Sequence, residues 1–134
     1  MTPEAATPRS DSNAPKRILI VEDEFLIAWT AEEALLAEGF DVVGVAATFE
    51  QALSIVERER PDLVLMDIRL ASARDGVDTA IEIRRRFGVA SLFTSANQDP
   101  ANVARAQAAE PAGWLPKPYA IESLVAAVRE FDAR

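Results

Sequence analysis

The chain contains no cysteine and no histidine. Without cysteine there is no disulfide framework, no thiolate nucleophile and no thiolate metal site. Without histidine, Ser-His-Asp catalysis, histidine-bound zinc and a phosphohistidine step within the chain are excluded. Chemistry must come from carboxylates, hydroxyls, Lys or Arg, with any hard cation held by oxygen ligands. Positive charge is also scarce: 14 Lys and Arg stand against 22 Asp and Glu, a formal net charge of −8. That balance argues against direct binding to nucleic acid or an anionic membrane, both of which need basic faces. The apolar runs are strand-sized, so none spans a membrane, and the opening stretch MTPEAATPRSDSNAP has no signal-peptide core. A cytoplasmic protein is expected.

What is present suits one α/β domain. The 134 residues are 49% hydrophobic, enough for a single core. Residues 1–15, with Pro3, Pro8 and Pro15 and no large aliphatic after Met1, read as a flexible tail, and 16–134 as the domain. Strands are expected at 18–21, 42–45, 62–67, 92–94 and 114–115. Each is followed by a helical pattern: about Glu24–Glu38, Thr48–Glu59, Val77–Phe87, Pro100–Ala109 and Ile121–Phe131. The first helix carries an apolar stripe of Leu26, Ile27, Ala31, Ala34 and Leu35, with Gly39 as its C′ residue. Thr48 and Gln51 match a capping box, and Pro100 suits a first helical turn. Five strand–helix units in succession predict a doubly wound, five-stranded parallel sheet with right-handed crossovers.

The stretch DLVLMD, 62–67, reads as a strand buried on both faces that ends on a carboxylate. Such a charge loses solvation unless something pairs or uses it. In an open α/β sheet the carboxyl ends of the strands form the ligand site. Glu22, Asp23 and Glu24 follow the first strand, Asp67 closes the third, Ser95 follows the fourth and Lys117 the fifth. Neighbouring carboxylates repel unless a divalent cation sits between them, and oxygen ligation beside a phosphoryl group suits Mg²⁺. Lys117 supplies a charge and Ser95 a hydroxyl for phosphoryl oxygens. Asp67 is a competent nucleophile that can form an acyl phosphate.

VEDE at 21–24, LVLMDIRL at 63–70, Ser95-Ala96 and LPKPY at 115–119 together resemble the receiver domain of two-component response regulators, from Lys16 to about Ala133. The resemblance implies a sheet in strand order 2-1-3-4-5 with five helices. It implies Asp67 as phosphoacceptor and Mg²⁺ held by Asp23, Asp67, the Arg69 backbone carbonyl and, through water, Glu22. Ser95 and Trp114 take the switch positions, Lys117 binds phosphate, and the Lys117–Pro118 bond is cis. The implied function is a switch, not an enzyme. It accepts a phosphoryl group from a histidine kinase or phosphotransfer protein, has no output domain, and signals to a downstream protein by contact. Val103 is the only large aliphatic residue of Ala101–Ala109, so a weakly anchored fourth helix is expected to carry the signal with the fifth strand and fifth helix. A homodimer is left open. Three positions depart from the commonest pattern. The 67–75 loop is one residue longer with Ala71 where Pro is usual, Ser95 replaces Thr, and Trp114 replaces Tyr or Phe.

Plainer roles compete at each position. Glu22, Asp23 and Glu24 suit a helix N-terminus, Ser95 a turn, Lys117 a solvated loop, and Arg84–Arg86 a solvated last helical turn. Trp29 suits helix packing or a partly exposed surface. A phosphatase with an Asp nucleophile would resemble its kind in a second Asp two residues on, where this chain has Arg69. A flavodoxin-type binder needs a Gly-, Ser- or Thr-rich loop after the first strand, and this loop is acidic.

Overall fold

Leu63–Asp67 (β3) is buried at all five residues, so it sits at the centre of the sheet. In this computed structural model, which describes residues 16–133 except Ala71, it lies between Arg17–Val21 (β1) and Ala90–Ser95 (β4). Asp41–Ala46 (β2) and Gly113–Pro116 (β5) form the edges. All pairings are parallel and the order is β2-β1-β3-β4-β5, as the resemblance implied. The expected tail, residues 1–15, lies outside the described residues. Among those described, no helix is long and apolar enough to cross a membrane.

Side chains alternate between two cores, one on each face of the sheet. Ile18, Ile20, Leu63, Leu65, Leu92 and Leu115 meet Phe25–Ala37 (α1) and Ile121–Asp132 (α5). Leu19, Val21, Val64, Met66 and Phe93 meet Phe49–Glu59 (α2), Gly76–Phe87 (α3) and Pro100–Ala106 (α4). This double cover is why the strands read as continuous apolar runs.

Caps set most helix ends. Thr48 Oγ1 accepts from Gln51 N at 3.2 Å, while Gln51 Oε1 accepts from Ala47 N at 2.8 Å, one residue short of the usual reciprocal bond. Asp75 caps α3 by accepting from Asp78 N at 2.9 Å, so that helix starts at Gly76, one residue before the expected start. Gly39 and Gly88 close α1 and α3 at φ of 91° and 72°, a backbone region open to glycine. Lys117–Pro118 is cis. Arg84 pairs with Glu110, and Arg85 and Arg86 with Glu82, so the basic run is held by surface partners.

Two helices differ from expectation. The expected fourth helix is α4 followed by a 3-10 turn over Gln107–Ala109, and only Ala106 of α4 is buried. Arg105 ties α4 to the start of α3, reaching Asp75 Oδ2 at 2.6 Å and Asp78 Oδ1 at 3.0 Å. Burial alone would raise the Asp75 pKa, but the hydrogen bond and charge of Arg105 and the backbone amides of Asp78 and Val77 together outweigh it, and the carboxyl falls below its ordinary value. In α1 the buried stripe is Ala28, Ala31 and Leu35, whereas Leu26, expected inside, is 70% exposed.

Among the described residues, one buried side-chain polar atom lacks a partner. Ser91 Oγ, in a residue 1% exposed, makes no hydrogen bond. Ser91→Ala removes that desolvated hydroxyl and is expected to stabilise the fold by about 1 kcal/mol. Urea unfolding checks this; a loss of stability would mean that the hydroxyl has a partner in solution.

Candidate functional site

β1 and β3 are neighbours, with Val21 beside Met66, so the residues that follow, Glu22 and Asp67, emerge side by side. Both are buried, at 6% and 5% exposure. The Glu22 amide donates to Ala46 O at 2.8 Å, and the Glu22 side chain accepts from Glu24 N at 3.1 Å. Lys117, beyond β5, brings its ammonium to 3.0 Å from Glu22 Oε1 and 3.4 Å from Asp67 Oδ1. The Arg69 amide donates to Asp67 Oδ1 at 3.3 Å, while its side chain is exposed at the cleft mouth. Asp23 is exposed, and carboxylate oxygens of Glu22, Asp23 and Asp67 lie within 4.8 Å of one another.

Two buried acids with one cation between them are electrostatically unsettled. Burial, and then the Glu22 charge, raise the Asp67 pKa from 3.8 to about 7 against the opposing pull of Lys117. For Lys117, burial works downward, but the Glu22 hydrogen bond and both carboxylate charges raise its pKa on balance. An all-oxygen donor set with surplus negative charge fits a hard divalent cation such as Mg²⁺.

Ser95 and Asp67 line the same cleft, with Asp23, Arg69 and Lys117. The Ser95 hydroxyl is engaged elsewhere: it donates to Asn97 O at 2.5 Å and accepts from Asn97 N at 3.1 Å. Trp114 pairs with Phe93 across β4 and β5 and stacks on it, centroids 4.8 Å apart and planes 24° from parallel. Its indole is half-buried against the core shared by α2, α3 and α4. The structure therefore brings Glu22, Asp23, Asp67, Ser95 and Lys117 together and sets Trp114 apart from them.

Three contributors escaped the sequence reading. Asn97 holds the Ser95 hydroxyl, and the Ser-x-Asn spacing after a strand was its only signal. Tyr119 lines the cleft floor; its phenol pKa is raised by burial and then by the Glu22 charge. Gly76 lets the start of α3 approach the Asp67 backbone, its amide donating to Ile68 O at 2.7 Å.

A family model described as "Response regulator receiver domain" matches residues 18–129. The chain belongs to this family. As a receiver, it is similar to the transcriptional regulatory protein PdtaR of Mycobacterium tuberculosis, with 37% identity over 123 residues. That match covers 91% of this chain and 59% of the relative, so the chain spans little more than half of that regulator's length. Among solved structures, it resembles the signal receiver domain of a modulated diguanylate cyclase from Desulfovibrio desulfuricans. That match has a TM-score of 0.80 and 35% identity, covering 87% of this chain and 92% of the other. A CheY-like receiver domain protein from Methanospirillum hungatei matches with a TM-score of 0.81 and 26% identity, covering 89% and 94%. The receiver assignment accounts for a sheet whose polar groups converge on one edge.

Proposed function

We propose that this receiver takes a phosphoryl group on Asp67 from a histidine kinase or phosphotransfer protein and passes the signal on by protein contact. The observation that carries the proposal is the buried Asp67 carboxylate, 3.4 Å from the Lys117 ammonium and flanked by Glu22 and Asp23. An Asp67 oxygen attacks the phosphorus of the donor's phosphohistidine. The new O–P bond forms as the P–N bond breaks, and the imidazole leaves with the bonding pair. Mg²⁺ held by Asp23, Asp67, the Arg69 carbonyl and, through water, Glu22 would neutralise phosphoryl charge.

The chain's own groups do the rest. Arg69 N–H and Lys117 fix Asp67 Oδ1, which orients the carboxylate. Lys117 then shares its charge with the phosphoryl oxygens. Ser95 turns its hydroxyl from Asn97 toward the phosphoryl group, and the β4–α4 segment follows. Trp114, already stacked on Phe93, adjusts within the same core. The shallowly anchored α4, with β5 and α5, presents the change to a downstream protein. The role is that of a cytoplasmic switch without turnover of a diffusible substrate.

The test is phosphoryl labelling by acetyl phosphate or by a cognate kinase in the presence of Mg²⁺. Stoichiometric, acid-stable and base-labile label is expected on the native chain and none on Asp67→Asn. Label that persists on folded Asp67→Asn would remove Asp67 from the role.

A further inference from the structure

The two faces of the sheet are unequally covered. α2, α3 and α4 lie on one face, and only α1 and α5 on the other. α1 buries Ala28, Ala31 and Leu35 at i, i+3 and i+7. To one side of that stripe, Leu26, Ile27 and Thr30 line the cleft together with Ile121 of α5. To the other side, Phe25, Trp29 and Leu36 recur at i, i+4 and i+11, with exposures of 75%, 51% and 45%. At ~100° per residue this second stripe lies about 110° round from the buried one, on the flank away from α5.

The sheet continues beneath that flank. Val45 of β2 pairs with Ile20, so it shares the face that α1 covers, and it is 41% exposed. The outer flank of α1 and the outer strand β2 therefore form an apolar shelf with room for a third helix in the layer. Large aromatic side chains left in water beside an uncovered strand are the kind of patch that marks an interaction site.

Charge decides what fits the shelf. From Ile18 to Glu57 the chain carries nine acidic residues and no Lys or Arg. Glu32 stands within the stripe, seven residues after Phe25, and Glu33 follows it, whereas Asp41, which opens β2, already faces Arg17 at 3.8 Å. Neither Glu32 nor Glu33 has a cationic partner among the described residues. A second copy related by a two-fold axis would set these acids against their own counterparts. Residues 1–15 carry no large aliphatic side chain after Met1 to fill the shelf.

We propose that the α1–β2 shelf docks an amphipathic helix of a partner protein, apolar along one face and flanked by Lys or Arg. The helix lies against Phe25, Trp29 and Leu36 over β2, and its basic flanks meet Glu32 and Glu33. This surface is separate from the Asp67 cleft, so the inference stands whether or not Asp67 is the phosphoacceptor.

Calorimetry with a helical Leu/Lys peptide, its leucines on one face, tests this on the whole chain. A peptide of the same composition in scrambled order is the comparison. Saturable binding that weakens with added salt is expected, about tenfold or more tighter than for the scrambled peptide. Phe25→Ser and Trp29→Ser should each weaken it about tenfold, and Ile121→Ser, on the cleft side, should leave it unchanged. Circular dichroism confirms that the variants fold, since these side chains are exposed. Equal affinity for the scrambled peptide overturns the proposal, as does a loss confined to Ile121→Ser. Self-association of the chain that Trp29→Ser abolishes gives the shelf to a second copy and overturns it as well.

Discussion

A Gly76→Ala chain is expected to lose about 3 kcal/mol or more of stability and most of its capacity to take up a phosphoryl label. A Cβ on residue 76 would lie 1.8 Å from the Asp67 carbonyl oxygen, 2.7 Å from the Asp67 carbonyl carbon and 2.8 Å from Ile68 Cα. All three are backbone atoms of the chain leaving β3, so no side-chain rotation relieves the clash. Either α3 backs away, losing the Gly76–Ile68 hydrogen bond, or Asp67 shifts against Glu22 and Lys117. Gly113→Ala is the control, because its added Cβ meets only the end of the Leu92 side chain at 3.3 Å. Urea unfolding and phosphoryl labelling of both variants decide the matter. Equal, small losses in the two would show that the β3–α3 approach is loose in solution.

In the presence of a chelator, Asp67→Asn is expected to be more stable than the native chain at pH 8 and nearly equal to it at pH 4. The folded-state pKa of Asp67, about 7, lies above its ordinary 3.8, so the folded protein binds the proton more tightly than the unfolded chain does. That contribution is full below about pH 4 and is lost as pH rises through 7. Asn cannot ionise and keeps the neutral site at every pH. The gap at pH 8 is on the order of 3 kcal/mol after allowance for solvent screening of a partly buried group, the opposing pull of Lys117 being already contained in that pKa. Unfolding curves at pH 4, 6 and 8 check it; a gap that does not change with pH would mean that burial does not strain this carboxylate.

The strands and the site edge were legible because burial on both faces leaves runs such as LVLM with nothing polar to interrupt them. Their ends were less so: β4 extends from Ala90 to Ser95, since ladder hydrogen bonds accept residues of any polarity. The buried side of α1 was misread for a physical reason. FLIAWTAEEALLA is apolar on several flanks, so spacing alone could not choose the one built on Ala28. Glu22, Asp67, Ser95 and Lys117 announced themselves as polar residues after apolar strands. Gly76 and Arg105 act on residues that only the fold brings close, which no local pattern encodes, whereas Asn97 acts through backbone atoms and left only the weak Ser-x-Asn spacing.

The Ser95 hydroxyl rests in a two-residue turn with both its donor and its acceptor already used on Asn97. Under the proposed switch, turning it toward Asp67 would trade one set of hydrogen bonds for another. Exchanges of this kind differ by only about 1 kcal/mol per bond. In the switch proposed above, the set point would therefore lie in the balance between a turn carbonyl and the acceptor that a phosphorylated Asp67 would carry.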